Sequence, residues 1–284
     1  MITDPPLREV IGRHRLTAKR SLGQHFLLDA NLAQRIARAA GKLTGRHVVE
    51  IGPGPGGLTR ALLGSDAASV TVVEIDKRAV EAMRELSAQA CGRLRVVHGD
   101  ALALDPASLA PEPRQIISNL PYNIGTLLLI TWLKQGRAYE RLTLMFQHEV
   151  AERICAEPAT RPYGRLSVLT QWVCQVALLI RVPPTSFVPA PKVYSALVGL
   201  TPHSFQPSPA LFASMERLTA AAFGQRRKML RGALRSIGGE TLLQAACIAP
   251  DRRAETLSVA EFDRLARLLL ASETCNESPE ADLT

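Results

Sequence analysis

The tetrapeptide Asn119-Leu120-Pro121-Tyr122 holds the residue types that a transfer to an exocyclic amine would need. The lone pair of an amine such as adenine N6 is delocalised into the ring, and in-line attack requires that pair to be aimed at the electrophilic carbon. Acceptors on both amine hydrogens do this, and the segment offers the Asn119 side-chain oxygen and the Leu120 backbone carbonyl. Pro121 fixes the turn and keeps Leu120 out of helical backbone, which presents that carbonyl outward. Tyr122 supplies a ring on which a purine can stack. No strong general base is expected, because a methyl on a sulfonium is already electrophilic and the methylated amine then loses its proton readily. The same four residues would also serve as a surface turn, so their place in the fold decides.

That place follows from the apolar runs. His47–Ile51, Ser69–Ile75, Arg93–His98, Arg114–Ser118, Arg141–Phe146, Ala177–Val182 and Ser195–Leu200 are seven candidate strands. Helix-like segments such as Leu58–Leu63, Lys77–Gln89, Gly125–Lys134 and His148–Cys155 are long enough for crossovers, which predicts five parallel strands with helices on both faces. The last two runs are joined by a proline-rich loop, Pro183–Lys192, with no room for a crossover helix, and are expected to pair antiparallel. The tetrapeptide then sits at the carboxyl end of the fourth strand, where open α/β sheets bind ligands.

A cofactor signature precedes it. Val48-Val49-Glu50-Ile51-Gly52-Pro53-Gly54-Pro55-Gly56-Gly57 reads as a strand entering a glycine turn, where backbone can approach a ligand closely. Glu74 lies 22 residues after Gly52, at the end of the second run, placed to accept both ribose hydroxyls of a nucleoside. A nicotinamide dinucleotide would satisfy these two features equally. Asp100 after the third run, suited to an adenine amine, and Glu50 before the glycine turn favour a cofactor that carries positive charge. That points to S-adenosylmethionine and a Rossmann-like, S-adenosylmethionine-dependent methyltransferase sheet.

Composition sets the frame. The 284 residues allow one sizeable core and a smaller second one. The longest apolar runs stop well short of the ~20 residues that cross a bilayer, and the basic first twenty residues lack a secretory pattern, so a cytoplasmic protein without a membrane partner is expected. Five scattered cysteines without a C-x-x-C pair argue against a disulfide framework and a zinc site. A net charge of +8 suits a polyanionic partner. The domain reading is a basic arm over 1–20, a catalytic domain over 21–202, a small all-α RNA-binding domain over 210–271, and a disordered tail over 273–284. The arm reads as a tail that orders on RNA, or as a tail only.

Phe223–Arg235 is predicted as the first clear helix of the C-terminal domain, with Arg227, Arg231 and Arg235 at i, i+4 and i+8 on one face and Phe223, Leu230 and Leu234 on another. Such a stripe suits phosphates, though charged faces are also commonly just solvated. A-form duplex hides the adenine amine, so an unstacked base in single-stranded or loop RNA is the expected substrate.

Together these segments resemble the ribosomal RNA adenine dimethyltransferase family, more closely its small-subunit branch. The likeness spans nearly the whole chain, through Lys19–Leu27, Glu50–Thr59, Asn119–Ile124, Phe146–Arg153, Tyr163–Val168, Phe187–Ser195 and Phe223–Lys228. It implies dimethylation of N6 on two adjacent adenosines near the 3′ end of 16S rRNA, in the 30S subunit or a late precursor, by a monomer. It implies cofactor contacts from His25, Leu27, Gly52, Glu74, Asp100 and Asn119, and RNA contacts from Arg226, Arg227, Lys228, Arg231 and Arg235. Phe187 aligns with an aromatic that the family sets against the target base opposite Tyr122; an apolar plug under the proline-rich loop is the other reading.

Two positions depart from the family pattern: His25 where Asn is frequent, with a neutral imidazole favoured beside a sulfonium, and Tyr194 where Asp is usual. Alternatives are the large-subunit branch, which the Arg226–Lys228 segment and the Phe187–Ser195 loop disfavour, and a subunit-assembly factor with little catalysis.

Overall fold

Seven strands carry the site. The computed structural model describes residues 5–19 and 22–276; Arg20, Ser21 and the tail from residue 277, which the sequence reading touched, lie outside the described residues. Helix α1 (Leu7–Arg13) leads to β1 (Phe26–Leu27) and α2 (Ala30–Ala39). Then β2 (His47–Ile51), α3 (Gly57–Leu63), β3 (Ser69–Glu74), α4 (Lys77–Gln89) and β4 (Leu94–His98) form one half of the sheet. The other half follows as α5 (Pro106–Leu109), β5 (Arg114–Asn119), α6 (Gly125–Leu133), β6 (Arg141–Gln147), α7 (His148–Cys155), α8 (Arg165–Val173), β7 (Cys174–Val182), β8 (Phe187–Val188) and β9 (Ser195–Pro202). The C-terminal part is α9 (Pro209–Gly224), α10 (Leu230–Ala233), α11 (Gly239–Ala245) and α12 (Val259–Asn276).

The sheet order is β4-β3-β2-β5-β6-β9-β7. The first five strands pair in parallel and β9 is antiparallel to β6. Strand order reverses between β2 and β5, so their carboxyl ends flank a crevice. The hydroxyl of buried Ser118 ties the two ends together by donating to the Ile51 carbonyl at 2.7 Å.

Local chemistry explains the helices around it. Asp29 caps α2 by accepting from the N–H of Asn31 and Leu32, and the buried stripe Leu32, Ala33, Ile36, Ala37 packs it against the core. Asp76 caps α4 in the same way, accepting from Arg78 N–H. No helix among the described residues is long and apolar enough to cross a membrane.

Three features differ from the sequence expectation. The basic arm contains α1, whose Val10 is buried, and its continuation Leu16 is 2% exposed, so the described part of this segment is anchored at these points rather than a free tail. Arg78 fastens it, donating from Nη1 to the Arg15 carbonyl at 2.6 Å and from Nη2 to the Thr17 carbonyl at 3.2 Å. The chain divides into two compact units, Met1–Ala151 with Gln175–Pro202, and Glu152–Cys174 with His203–Thr284, rather than at one boundary after residue 202. The reason is α8: the Trp172 indole donates to Asp263 of α12 at 2.9 Å and its ring lies 5.8 Å from Phe212 of α9, so α8 shares its core with the C-terminal helices. Finally, α12 runs to Asn276, past the point where the tail was expected to begin.

Candidate active site

The glycine turn after β2 is built around close approaches. Gly54 has φ +55, and a Cβ there would stand 2.9 Å from the Phe26 ring. At Gly57 a Cβ would meet the Leu27 carbonyl oxygen at 2.2 Å, so only glycine lets α3 start against β1. The hydroxyl of Thr59 on α3 donates to Glu50 at 2.7 Å, and both side chains are buried. Glu50 thus holds the helix behind the turn and does not line the cleft. Burial pushes its carboxyl from 4.5 up to about 8, against the Thr59 bond that pulls it down.

A pH dependence follows. The folded state holds this proton more tightly than the unfolded one, so Glu50 contributes its stability fully below pH 4.5, and that contribution is lost as pH rises through about 8. Glu50→Gln keeps an acceptor for Thr59 without a titrating group. Its urea stability should lie within about 1 kcal/mol of the parent at pH 5 and exceed it at pH 8 by on the order of 4 kcal/mol.

Across the turn, Glu74 ends β3 and is 4% exposed. One carboxylate oxygen accepts from the N–H of Ile75 and Asp76, each at 2.9 Å, and the other from Gly54 N–H at 3.2 Å. Burial nevertheless holds this carboxyl above the ordinary range, with the three N–H groups opposing. Asp100 is exposed at the cleft, and one of its oxygens accepts from Leu102 N–H at 2.9 Å. Beside these acids stand Ile75, 48% exposed, and Leu102, 41% exposed, both lining the cleft. Neither was singled out by sequence reasoning; the signal was there, a large aliphatic placed one or two residues after each strand-end acid. Exposed aliphatics flanking a cavity suit the faces of a planar base.

Asn119 closes the opposite wall. Its Nδ2 donates to the His25 carbonyl at 3.1 Å. A carbonyl can only accept, so this contact fixes the amide orientation, and Oδ1 is left buried with no partner. Among the described residues no hydrogen bond ends on the Leu120 carbonyl, whereas the Pro121 carbonyl accepts from Ile124 and Gly125. The Tyr122 hydroxyl meets Ser195 Oγ of β9 at 2.5 Å, and its ring centroid lies 5.1 Å from that of His25. His25 Nδ1 is 2.7 Å from the Pro189 carbonyl, so Nδ1 carries a hydrogen and the ring is pinned to the proline-rich loop. The pairing of β1 with β8, Phe26 against Val188 and Leu27 against Phe187, reinforces that link. His25, Gly52, Glu74, Asp100, Asn119, Leu120, Pro121 and Tyr122 therefore converge on one cavity of about 170 Å³.

The model of the family described as Ribosomal RNA adenine dimethylase matches residues 15–270. The chain belongs to the ribosomal RNA adenine dimethylase family. Ribosomal RNA small subunit methyltransferase A of Gluconobacter oxydans (strain 621H) is 62% identical over 268 residues, which is 94% of this chain and 88% of that protein. Among solved structures, a dimethyladenosine transferase from Plasmodium falciparum has a TM-score of 0.71 at 25% identity, covering 85% of this chain and 96% of that one. The 23S rRNA methyltransferase ErmE has a TM-score of 0.64 at 28% identity, covering 86% and 99%.

Ribosomal RNA adenine dimethylases draw methyl groups from S-adenosylmethionine, and the cleft of this family member fits that cofactor. A buried carboxylate at Glu74 suits ribose hydroxyls, Asp100 an adenine amine, and Ile75 and Leu102 an adenine ring. Two residues expected at the site stand elsewhere. The Leu27 side chain is 5% exposed in the core and absent from the cleft lining, because β1 turns it inward over α3. The Phe187 ring is 2% exposed in the same core and does not reach the cleft, which makes it the apolar plug beneath the loop in this structure.

The predicted helix over Phe223–Arg235 is also broken. α9 ends at Gly224, residues 225–229 form a turn, α10 covers only Leu230–Ala233, and Arg235 opens a short 3-10 turn. Leu230 N–H donates to the Arg252 carbonyl at 2.7 Å and Arg231 N–H to the Pro250 carbonyl at 3.0 Å, bonds that replace those of a continuous helix. Arg227, Lys228, Arg231 and Arg235 remain exposed, but on a turn and a short helix rather than one stripe. Arg226 is engaged within its unit, donating to the Arg161 carbonyl at 2.6 Å and facing Glu255 at 3.8 Å.

Proposed function

We propose that this chain methylates N6 of two adjacent adenosines near the 3′ end of 16S rRNA, acting as a cytoplasmic monomer on the 30S subunit or a late precursor of it. The observation that carries the reading is the unpaired Asn119 Oδ1, held in the cleft wall by the His25 carbonyl. An unpaired buried acceptor is costly, and an amine hydrogen from a flipped adenine would satisfy it. The Leu120 carbonyl takes the second amine hydrogen, and the two bonds together draw the nitrogen toward tetrahedral geometry with its lone pair turned out of the ring plane, away from both acceptors. Tyr122, braced by Ser195 and His25, supports the base. When bound, S-adenosylmethionine supplies an electrophilic methyl on a sulfonium. The chain's own task is to orient the amine and keep water from it, with Gly52, Glu74 and Asp100 fixing the cofactor.

The name of the 62% identical relative supports the small subunit as substrate, against 28% for ErmE, a 23S enzyme. Tritiated-methyl transfer into purified 30S and 50S subunits, followed by nucleoside analysis, tests it. Dimethyladenosine in 30S alone is expected; label confined to 50S rRNA would reverse the assignment.

Arg227, Lys228, Arg231 and Arg235 supply phosphate contacts in this reading. Arg227→Gln and Arg231→Gln should each flatten the slope of log affinity against log salt by about 0.7, the value for one single-strand phosphate contact. Filter binding across a salt series measures it.

A further inference from the structure

The proline-rich loop ends in a residue whose chemistry the methyl transfer leaves unused. Tyr194 is 44% exposed, and the Arg181 guanidinium from the neighbouring strand β7 sits over its ring, 4.3 Å from the centroid. Its backbone is fixed as well, since the Tyr194 carbonyl accepts His148 N–H at 2.9 Å. The next residue, Ser195, is the partner of the Tyr122 hydroxyl, so the Tyr194 backbone directly adjoins the brace of the tyrosine proposed to bind the base. An exposed aromatic held by a cation, with exposed Lys192 two residues away, has little reason to be ordered for packing alone. Its free ring surface and adjacent positive charge match what single-stranded RNA offers: a base face and a phosphate.

We propose that Tyr194, backed by Arg181, is a stacking platform for the nucleotide next to the target adenosine in rRNA. The platform rests on the methyltransferase reading above and extends it to the residue that selects an unstacked neighbour. When one adenosine occupies the cleft, the adjacent nucleotide lies against Tyr194, which holds the strand open while the target amine is presented. A stack of this kind acts on RNA affinity and leaves cofactor affinity and the saturated rate nearly untouched.

The test compares Tyr194→Leu and Tyr194→Phe with the parent protein, using unmethylated 30S subunits and, separately, a single-stranded oligonucleotide carrying 2-aminopurine beside the target adenosine. Tyr194→Leu should raise KM for subunits about 5- to 100-fold, with kcat and the KM for S-adenosylmethionine within twofold. Tyr194→Phe should restore the KM. The parent and the Phe variant should quench 2-aminopurine fluorescence on binding, and the Leu variant should not.

A Leu variant with parental KM and parental quenching overturns the platform, and so does a Phe variant as impaired as Leu. Should Tyr194→Leu fold poorly, Arg181→Gln, which leaves the ring but removes its support, is expected to weaken both readouts; no change in either would count against the proposal. Absence of any methyl transfer by the parent to 30S would instead remove the underlying reading.

Discussion

Asn119→Ala should abolish nearly all turnover while leaving cofactor binding almost intact. The side chain does two things in the structure: Nδ2 clamps the His25 carbonyl at 3.1 Å, and Oδ1 remains a buried, unpaired acceptor. Alanine removes the acceptor proposed to orient the amine, and losing a near-attack alignment costs on the order of 100-fold in rate or more. Asn119→Asp separates the two tasks. It keeps an oxygen for the amine but sets a second oxygen against the His25 carbonyl, so the side chain must rotate away or take up a proton. Its rate should therefore fall nearly as far as that of the alanine variant. Single-turnover methyl transfer gives the rate, and isothermal titration with S-adenosylhomocysteine gives the affinity, expected within about tenfold of the parent. An Asn119→Ala protein that turns over at even a tenth of the parental rate would remove Asn119 from the chemistry.

Glu74→Ala should act on binding instead. A carboxylate that accepts two hydroxyls contributes roughly 1.5–3 kcal/mol per bond, so its loss predicts a cofactor affinity weaker by two to four orders of magnitude. The fold suffers too, because Gly54, Ile75 and Asp76 all donate backbone N–H groups to this side chain. Each buried donor left unsatisfied costs about 1–3 kcal/mol, so a lower melting temperature should accompany the lost affinity. Glu74→Gln is not a benign replacement, because its amide turns an NH2 toward some of those donors. It should lose affinity with a smaller thermal penalty. Retained affinity in Glu74→Ala, measured by titration below its melting point, would place the ribose elsewhere.

Much of the sheet could be read directly because parallel strands buried on both faces are near-continuous apolar runs. Val70–Val73 and Ile116–Ile117 are of this kind, and Glu74 and Asn119, which end β3 and β5, mark the cleft. Two-residue strands carry no such pattern. β1 and β8 were invisible because their pairing depends on the rest of the domain bringing distant segments together. The same limit hid the burial of Phe187 and the inward turn of Leu27. In the C-terminal region, the spacing of Arg227, Arg231 and Arg235 suggested one helix, and backbone bonds to Pro250 and Arg252 overrode it. Here tertiary partners outweighed a local period. The first helix was a different kind of miss, since Leu7, Val10 and Ile11 already show a helical spacing within the basic arm.

The pairing of Phe26 with Val188 also orders events during synthesis. The two residues are separated by about 160 positions, and translation proceeds at roughly 5–20 residues per second, so β1 waits on the order of ten seconds for its partner. Until then His25 lacks the Pro189 carbonyl, and Asn119 faces a segment that nothing yet holds. Contacts of such high sequence separation form late because their loop entropy must be met first. The cleft is thus among the last parts of its domain to acquire its shape, and a nascent chain stalled before residue 187 would possess the five parallel strands but neither β9 nor a competent reaction centre.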